Sequence, residues 1–312
     1  MGSSTAIATV VVTTVLGVCI GGSFYADQRA VRLLFDRFAK MLPATLGYEA
    51  LFGVAVVLEV AGGTVKISSA ALFAGSAAVC LSWSGSWFMN DLYDKESDTA
   101  SDQDRATVEG QVSDRQTVFA AVILWGFSLS YAALLSFVAL TAAVCMIVLN
   151  VVYSVPPLRL KASGIGSMGS IGLMGATAVM LGSGTVVSVP SGAVWRFAAI
   201  VTVFMMLNLS YKDLKDVEED AATGVENFVV SYGTDRVRWF LVVSLPISYL
   251  LGAFVIGVTI WPVLVIIGVV SLCAAGLLVT HDISTARLTH RLDIVNAIYM
   301  TTLASTYYAI YA

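Results

Sequence analysis

Charge and histidine are both scarce in this chain. Only 12% of its 312 residues are Asp, Glu, Lys or Arg, about half the share of an average soluble domain. With 58% hydrophobic residues, that balance excludes a water-soluble domain and places the chain in a lipid bilayer. The two histidines, His281 and His290, are too few and too far from any cysteine for a zinc or haem site. Cys19, Cys80, Cys145 and Cys273 stand singly in apolar stretches with no CxxC spacing. A disulfide framework is thereby excluded, and each cysteine reads as a small buried hydrophobe. The net charge of -4 carries no basic footprint, so no nucleic-acid partner is expected. A hard cation held by oxygen ligands stays open.

What the chain does have is long uncharged runs. A helix crossing the ~30 Å hydrocarbon layer needs about 20 apolar residues. Counted in that unit, the sequence predicts spans at 43–62, 67–89, 117–136, 138–155, 167–186, 194–211, 237–257, 261–280 and 292–311, nine in all, with a break around Gly257 to Pro262. Ahead of them, residues 5–24 form another apolar run; no Lys or Arg precedes it, which argues against a signal peptide, and it is read as an extra span. Residues 1–30 are thus expected to form an N-terminal apolar segment and residues 31–312 a single transmembrane domain. Of the 17 Lys and Arg, 15 fall in alternate loops of this layout, with Lys66 and Arg196 the exceptions. By the positive-inside rule those loops are cytoplasmic.

The few acids are gathered. Fifteen of the 21 lie in two windows, Asp91 to Asp114 and Asp213 to Asp235, both in loops assigned to the cytoplasmic side. In the first, Asp91, Asp94 and Asp98 recur at short intervals; in the second, Asp213, Asp216 and Asp220 do the same. Each window then runs to an Asp-Arg pair, Asp114-Arg115 and Asp235-Arg236, 23 and 22 residues beyond its first Asp. This is an internal repeat. Four spans separate the copies, so both face one compartment, as the charge rule independently requires.

On a helix, Asn90, Asp91, Asp94 and Asp98 form one stripe, and Asp213, Asp216 and Asp220 form another. Stacked like charges oppose helix stability, so a cation is expected between the stripes. Oxygen donors without histidine suit Mg²⁺, which takes one or two carboxylates and completes its shell with water and phosphate. Two such stripes would clamp a diphosphate through Mg²⁺ and help it leave. Solvated helix ends are the plainer reading of a charge run, but they do not account for matched spacing in two copies. Trp87 and Trp83 lie one and two turns above Asn90 and Asp91 on the same face, where their rings would shelter an allylic cation or form part of an interfacial tryptophan belt.

Three motifs carry a resemblance to a known family. Asn90-Asp-Leu-Tyr-Asp94-Lys-Glu-Ser-Asp98 resembles the NDxxDxxxD signature of the UbiA superfamily of intramembrane prenyltransferases. Tyr211-Lys-Asp213-Leu-Lys-Asp216-Val-Glu-Glu-Asp220 is similar to its second, DxxD-type signature, and Tyr153-Ser-Val-Pro-Pro-Leu-Arg159-Leu-Lys161 to its YSxPPxRxK loop. The likeness covers about residues 37–311. It implies an all-α membrane fold, a ring of nine transmembrane helices around a central cavity, with the acidic motifs at the cytoplasmic mouth. It also implies Mg²⁺-dependent transfer of a prenyl group from a prenyl diphosphate donor to an aromatic or lipid acceptor in the bilayer.

By motif, Asn90, Asp91, Asp94, Asp98, Asp213, Asp216 and Asp220 would hold the Mg²⁺-diphosphate. Asp94, Asp98, Asp216 and Asp220 would be its catalytic core. Arg159, Lys161, Lys212 and Arg105 would meet phosphate oxygens, Tyr153 would line the pocket, and Arg37 matches a basic position before the first span. Two positions depart from the pattern: the family's Arg-Pro pair is Arg105-Ala106 here, and Glu219 replaces a common Gly. A UbiA-type terpene cyclase would use the same acids, closing the cation on its own double bonds. A secondary transporter is disfavoured, because its ionisable residues belong near the bilayer midplane.

Overall fold

The computed structural model describes residues 28–62, 67–95, 111–222, 224–258, 260–280 and 284–311. The expected extra span at 5–24 lies outside them, as do Asp98 and Arg105. Helices dominate the described residues: α1 (Gln28–Ala61), α2 (Ser69–Tyr93), α3 (Asp114–Leu135), α4 (Phe137–Ser154), α5 (Gly164–Val186) and α6 (Gly192–Asn208). After them come two short helices, α7 (Val217–Ala222) and α8 (Phe228–Tyr232), and then α9 (Thr234–Ile256), α10 (Trp261–Val279) and α11 (Thr285–Tyr311). Two 3-10 stretches, Leu160–Ala162 and Leu209–Lys215, interrupt the series.

Local chemistry explains where these helices begin and end. Serine caps open five of them: Ser68, Ser113, Ser136, Ser163 and Ser191 each accept a backbone N–H of the first turn. Ser113 forms a full capping box with Gln116. α9 ends on Gly257, whose φ of 80° needs a residue without Cβ, and Pro262 stands in the first turn of α10. The sequence break falls at these two residues. The internal repeat is visible too, since Asp114 and Asp235 each lie in the first turn of a helix, α3 and α9.

The long helices close a circuit. Each of α1 to α5 packs on the next, α6 packs on α9, α9 on α10 and α10 on α11, and α11 returns to α1. α5 also crosses to α1. Glycines set this close approach: a Cβ at Gly182 would lie 2.3 Å from the Phe52 carbonyl oxygen, and one at Gly184 would lie 2.5 Å from the Ala139 nitrogen. Leu58, Val79, Met146, Leu181, Phe197, Leu241 and Ile267 fill the interior.

Among the described residues, six helices are long and apolar enough to cross a membrane: α3, α4, α5, α6 with its 3-10 extension, α9 and α10. α1 makes a seventh if its halves, bent by 55° between Leu42 and Thr45, count as one span. The bend sits at Pro43, where the helix ladder lacks an N–H. The expected nine spans are therefore not established by length and apolarity. α2 and α11 occupy the two remaining expected places, but Ser82, Ser84, Ser86, Asn90 and Asp91 dilute one, and Arg287, Arg291, Asp293 and Asn296 the other.

The exterior is apolar, with Phe73, Phe137, Trp261 and Leu272 all strongly exposed. Cys145 and Cys273 are exposed there and Cys80 is half-buried, which corrects their reading as buried residues. Against lipid, an outward thiol loses nothing by leaving the core.

Candidate active site

α2 delivers the first acidic motif. Its last turns carry Asn90 and Asp91, and Asp94 is its C-cap. The helical stripe therefore holds as far as Asp94, whereas Asp98 lies outside the described residues. Asp91 is only 1% exposed. A charge so buried needs a partner, and Arg37 of α1 supplies it through Nε and Nη2, each 2.7 Å from a different carboxylate oxygen. The Arg37 guanidinium also sits 5.8 Å from the centre of the Trp87 ring.

The loop after α4 brings the basic residues. Arg159 adopts a left-handed backbone at φ 34°, unusual for a residue with a Cβ. Its Nη2 donates to Asp94 Oδ1 at 3.3 Å and to the Tyr93 carbonyl at 3.4 Å. Lys161 Nζ pairs with the same Asp94 oxygen and donates to Asn90 Oδ1 at 3.2 Å. Ser154, the last residue of α4, donates to Asn90 Oδ1 at 3.1 Å. Three polar side chains thus converge on one turn of α2.

The second motif is built differently from the expected stripe. α6 stops at Asn208, Asp213 rides on the 3-10 stretch, Asp216 is its C-cap and Asp220 begins anew on α7. Residues three apart eclipse on a 3-10 helix, so Asp213 and Asp216 still share a side without an α-helix. Asp213 interacts electrostatically with Asp216, Asp220, Lys212 and Lys215, and Lys215 lies 3.5 Å from Asp216. Lys212 is exposed. Asp220 accepts from Asn227 Nδ2 at 2.5 Å, and Asn227 in turn caps α8.

Tyr153 is where the two motifs meet. Its hydroxyl lies within electrostatic reach of Asp94 from the first motif and of Asp213 and Asp220 from the second. A short parallel bridge from Ser163 to Glu226 pins the basic loop beside the second motif. The structure thus gathers Arg37, Asn90, Asp91, Asp94, Tyr153, Arg159, Lys161, Asp213, Asp216 and Asp220 into one end of the bundle. The tryptophans on the same face of α2 pack on their neighbours, Trp83 against Tyr48 at 4.0 Å and Trp87 under Arg37.

Sequence reasoning missed Ser154 and Asn227. Ser154 stands inside the quoted loop motif, and a spacing argument had no reason to prefer it. Asn227 precedes α8 in the N-cap position that Asn favours, and that local signal marks its backbone role but not its hold on Asp220.

A closed circuit of apolar helices with paired acidic motifs and a basic loop at one end is the architecture of a multi-pass membrane protein. The chain belongs to the UbiA prenyltransferase family, whose model matches residues 40–292. It is an enzyme of the prenyltransferase class. A digeranylgeranylglyceryl phosphate synthase from Methanopyrus kandleri is 29% identical over 224 residues, covering 70% of this chain and 78% of the relative. The fold resembles that of a UbiA homologue from Archaeoglobus fulgidus solved with DMAPP and Mg²⁺, at a TM-score of 0.64 and 19% identity over 87% of this chain and 99% of the other. A solved digeranylgeranylglyceryl phosphate synthase gives a TM-score of 0.66 at 15% identity, covering 90% and 98%. At such identities the solved structures speak for the fold alone.

Proposed function

We propose that this chain transfers a prenyl group from an allylic prenyl diphosphate to a lipid acceptor of the glyceryl phosphate kind, with Mg²⁺, at the cytoplasmic edge of the membrane. The observation that carries the reading is the pairing of Arg159 and Lys161 with Asp94, which together with Asp213 and Asp220 lies within electrostatic reach of Tyr153. The sequence relatives named as digeranylgeranylglyceryl phosphate synthases support a lipid acceptor over an aromatic one. The one-sided distribution of Lys and Arg supports the cytoplasmic placement.

The donor set fits the metal. Among the described residues no group of three His, Cys, Asp or Glu is arranged to hold an ion by itself, and Mg²⁺ does not ask for one. It takes one or two carboxylates and fills its shell with water and substrate phosphate. Asp94, Asp213, Asp216 and Asp220, with Asp98 by motif, would hold it, whereas Asp91, expected as a ligand, has both carboxylate oxygens on Arg37. When bound, Mg²⁺ neutralises charge on the departing diphosphate.

The protein's own residues do the rest. Arg159 and Lys161, resting on Asp94, exchange that carboxylate for diphosphate oxygens and so bind the leaving group. Lys212, an exposed neighbour of Asp213, would do the same from the second motif. Arg37 and Asn90 keep the end of α2 in place. The bond from the prenyl C1 to the diphosphate oxygen breaks, the acceptor hydroxyl oxygen bonds to C1, and the hydroxyl proton is lost.

The test is to embed the protein in lipid vesicles with Mg²⁺ and offer allylic diphosphates of increasing length, with and without a prenylated glyceryl phosphate or an aromatic acceptor. Release of diphosphate that depends on the lipid acceptor, together with a prenylated lipid product, is expected. Product formed with no acceptor would mean a terpene cyclase instead, and no diphosphate release from any donor would overturn both enzyme readings.

A further inference from the structure

The segment that carries the second motif is held from outside. Leu209–Lys215 is a seven-residue 3-10 stretch, and 3-10 runs beyond three or four residues are uncommon because their hydrogen bonds are poorly aligned. Two distant helices grip it. At its start, Asn208 is fully buried; its Nδ2 donates to Ser248 Oγ at 2.9 Å, and its Oδ1 accepts from Ser244 Oγ at 2.8 Å, both on α9.

In its middle, Tyr211 is 2% exposed. Its hydroxyl donates to Asp293 Oδ1 at 2.5 Å and accepts from Asn296 Nδ2 at 3.1 Å, both on α11. Asn296 Oδ1 accepts from the Tyr249 hydroxyl at 2.5 Å, and Thr289 Oγ1 donates to the Tyr211 carbonyl at 3.4 Å. Thr289, Asp293 and Asn296 follow i, i+4, i+7 and so line one face of α11.

These bonds converge on the residue two places before Asp213. Tyr211 has no other reason to be tied so fully: a buried phenol is satisfied by one partner, and this one has two on the same helix turn. We propose that Asp293 and Asn296 are positioning residues that act through the Tyr211 hydroxyl, holding the 3-10 turn so that Asp213 and Asp216 face the first motif. The inference rests on the reading that those aspartates hold a metal-bound diphosphate. Asp293 also attracts Lys212, the residue between Tyr211 and Asp213, so α11 governs two consecutive side chains of the motif. It likewise gives α11, the helix that closes the circuit onto α1, a part in setting the site.

The experiment compares Tyr211→Phe, Asp293→Leu and Asp293→Asn with the wild type, reading the affinity for Mg²⁺ with inorganic pyrophosphate by calorimetry and the KM of donor and acceptor. Tyr211→Phe and Asp293→Leu should weaken Mg²⁺-pyrophosphate binding about tenfold, the lower end for removing a partner that orients a metal ligand. The donor KM should rise alongside and the acceptor KM should stay unchanged. Asp293→Asn still presents an oxygen to the hydroxyl and should stay within about threefold of the wild type, since an amide oxygen accepts as the carboxylate did. Lower thermal stability with unaltered pyrophosphate affinity would show a structural role and overturn the proposal, as would an Asn variant no better than Leu. Tyr211→Phe keeps the ring and its packing, so it stands if Asp293→Leu fails to fold. Asp216→Ala separates the two claims: if it retains turnover, the site reading fails; if it is inactive while Tyr211→Phe binds like the wild type, only the positioning role fails.

Discussion

Arg37 and Asp91 meet in a two-pronged ion pair that ties α1 to α2 at the end of the bundle where the motifs gather. Both bonds are 2.7 Å long, and the carboxylate is nearly sealed from solvent while the guanidinium is partly open. Fork geometry of this kind belongs to arginine, because lysine offers a single point charge.

Arg37→Ala should therefore lower stability by about 3–5 kcal/mol, the cost of removing one partner of a buried ion pair and leaving the other charge uncompensated. Arg37→Lys should recover only part of it. Thermal unfolding in detergent measures both, and an alanine variant as stable as the wild type would refute the structural role. Arg37→Ala combined with Asp91→Ala should lose less than the sum of the single losses, as coupled neighbours do.

Asp94→Ala and Asp216→Ala should each cut turnover by more than about a hundredfold, the scale seen when one preorganised electrostatic group is removed. Folding should survive, since Asp94 is partly exposed and Asp216 is open to solvent. Circular dichroism and gel filtration would show the intact protein. Near-normal activity in either variant would contradict its place in the site.

Chelation should abolish diphosphate release, and added Mg²⁺ should restore it. Ca²⁺ should restore less, because it prefers more ligands at longer distances than a carboxylate and phosphate site supplies. Turnover in excess chelator would remove the metal from the proposal.

Gly182→Ala should destabilise the bundle by about 1–3 kcal/mol, the usual cost of overpacking. The new Cβ would meet the Phe52 carbonyl oxygen, a backbone atom that a rotamer change cannot move. The melting temperature in detergent reports it. Gly169→Ala has open space around the added carbon and serves as the control. Equal melting temperatures for the two variants would contradict the close approach of α5 and α1.

Much of this was legible in the sequence. Uncharged runs marked most of the long helices to within a few residues, though α1 begins at Gln28 rather than 43 and α11 at Thr285 rather than 292, and Gly257 and Pro262 punctuated the break between α9 and α10 because their backbone restrictions are local. The spacing of the acids singled out two motifs that the structure brings to one end of the bundle. The helical stripe failed for the second motif, since a run of Tyr-Lys-Asp-Leu-Lys-Asp has no local mark that separates a 3-10 stretch from an α-helix. Its conformation is set by Ser244, Ser248, Asp293 and Asn296, more than thirty residues away in sequence.

The sequence by itself determined that the chain enters a membrane, that its acids form a repeated pair on one side, and which family they resemble. Those properties depend on composition and spacing, which are local. Only the tertiary structure decided that Arg37 neutralises Asp91, that Arg159 and Lys161 rest on Asp94, and that α11 reaches the Tyr211 hydroxyl. A charge buried in an apolar bundle must find its partner in space, and in this chain the partners come from helices that lie far apart along it.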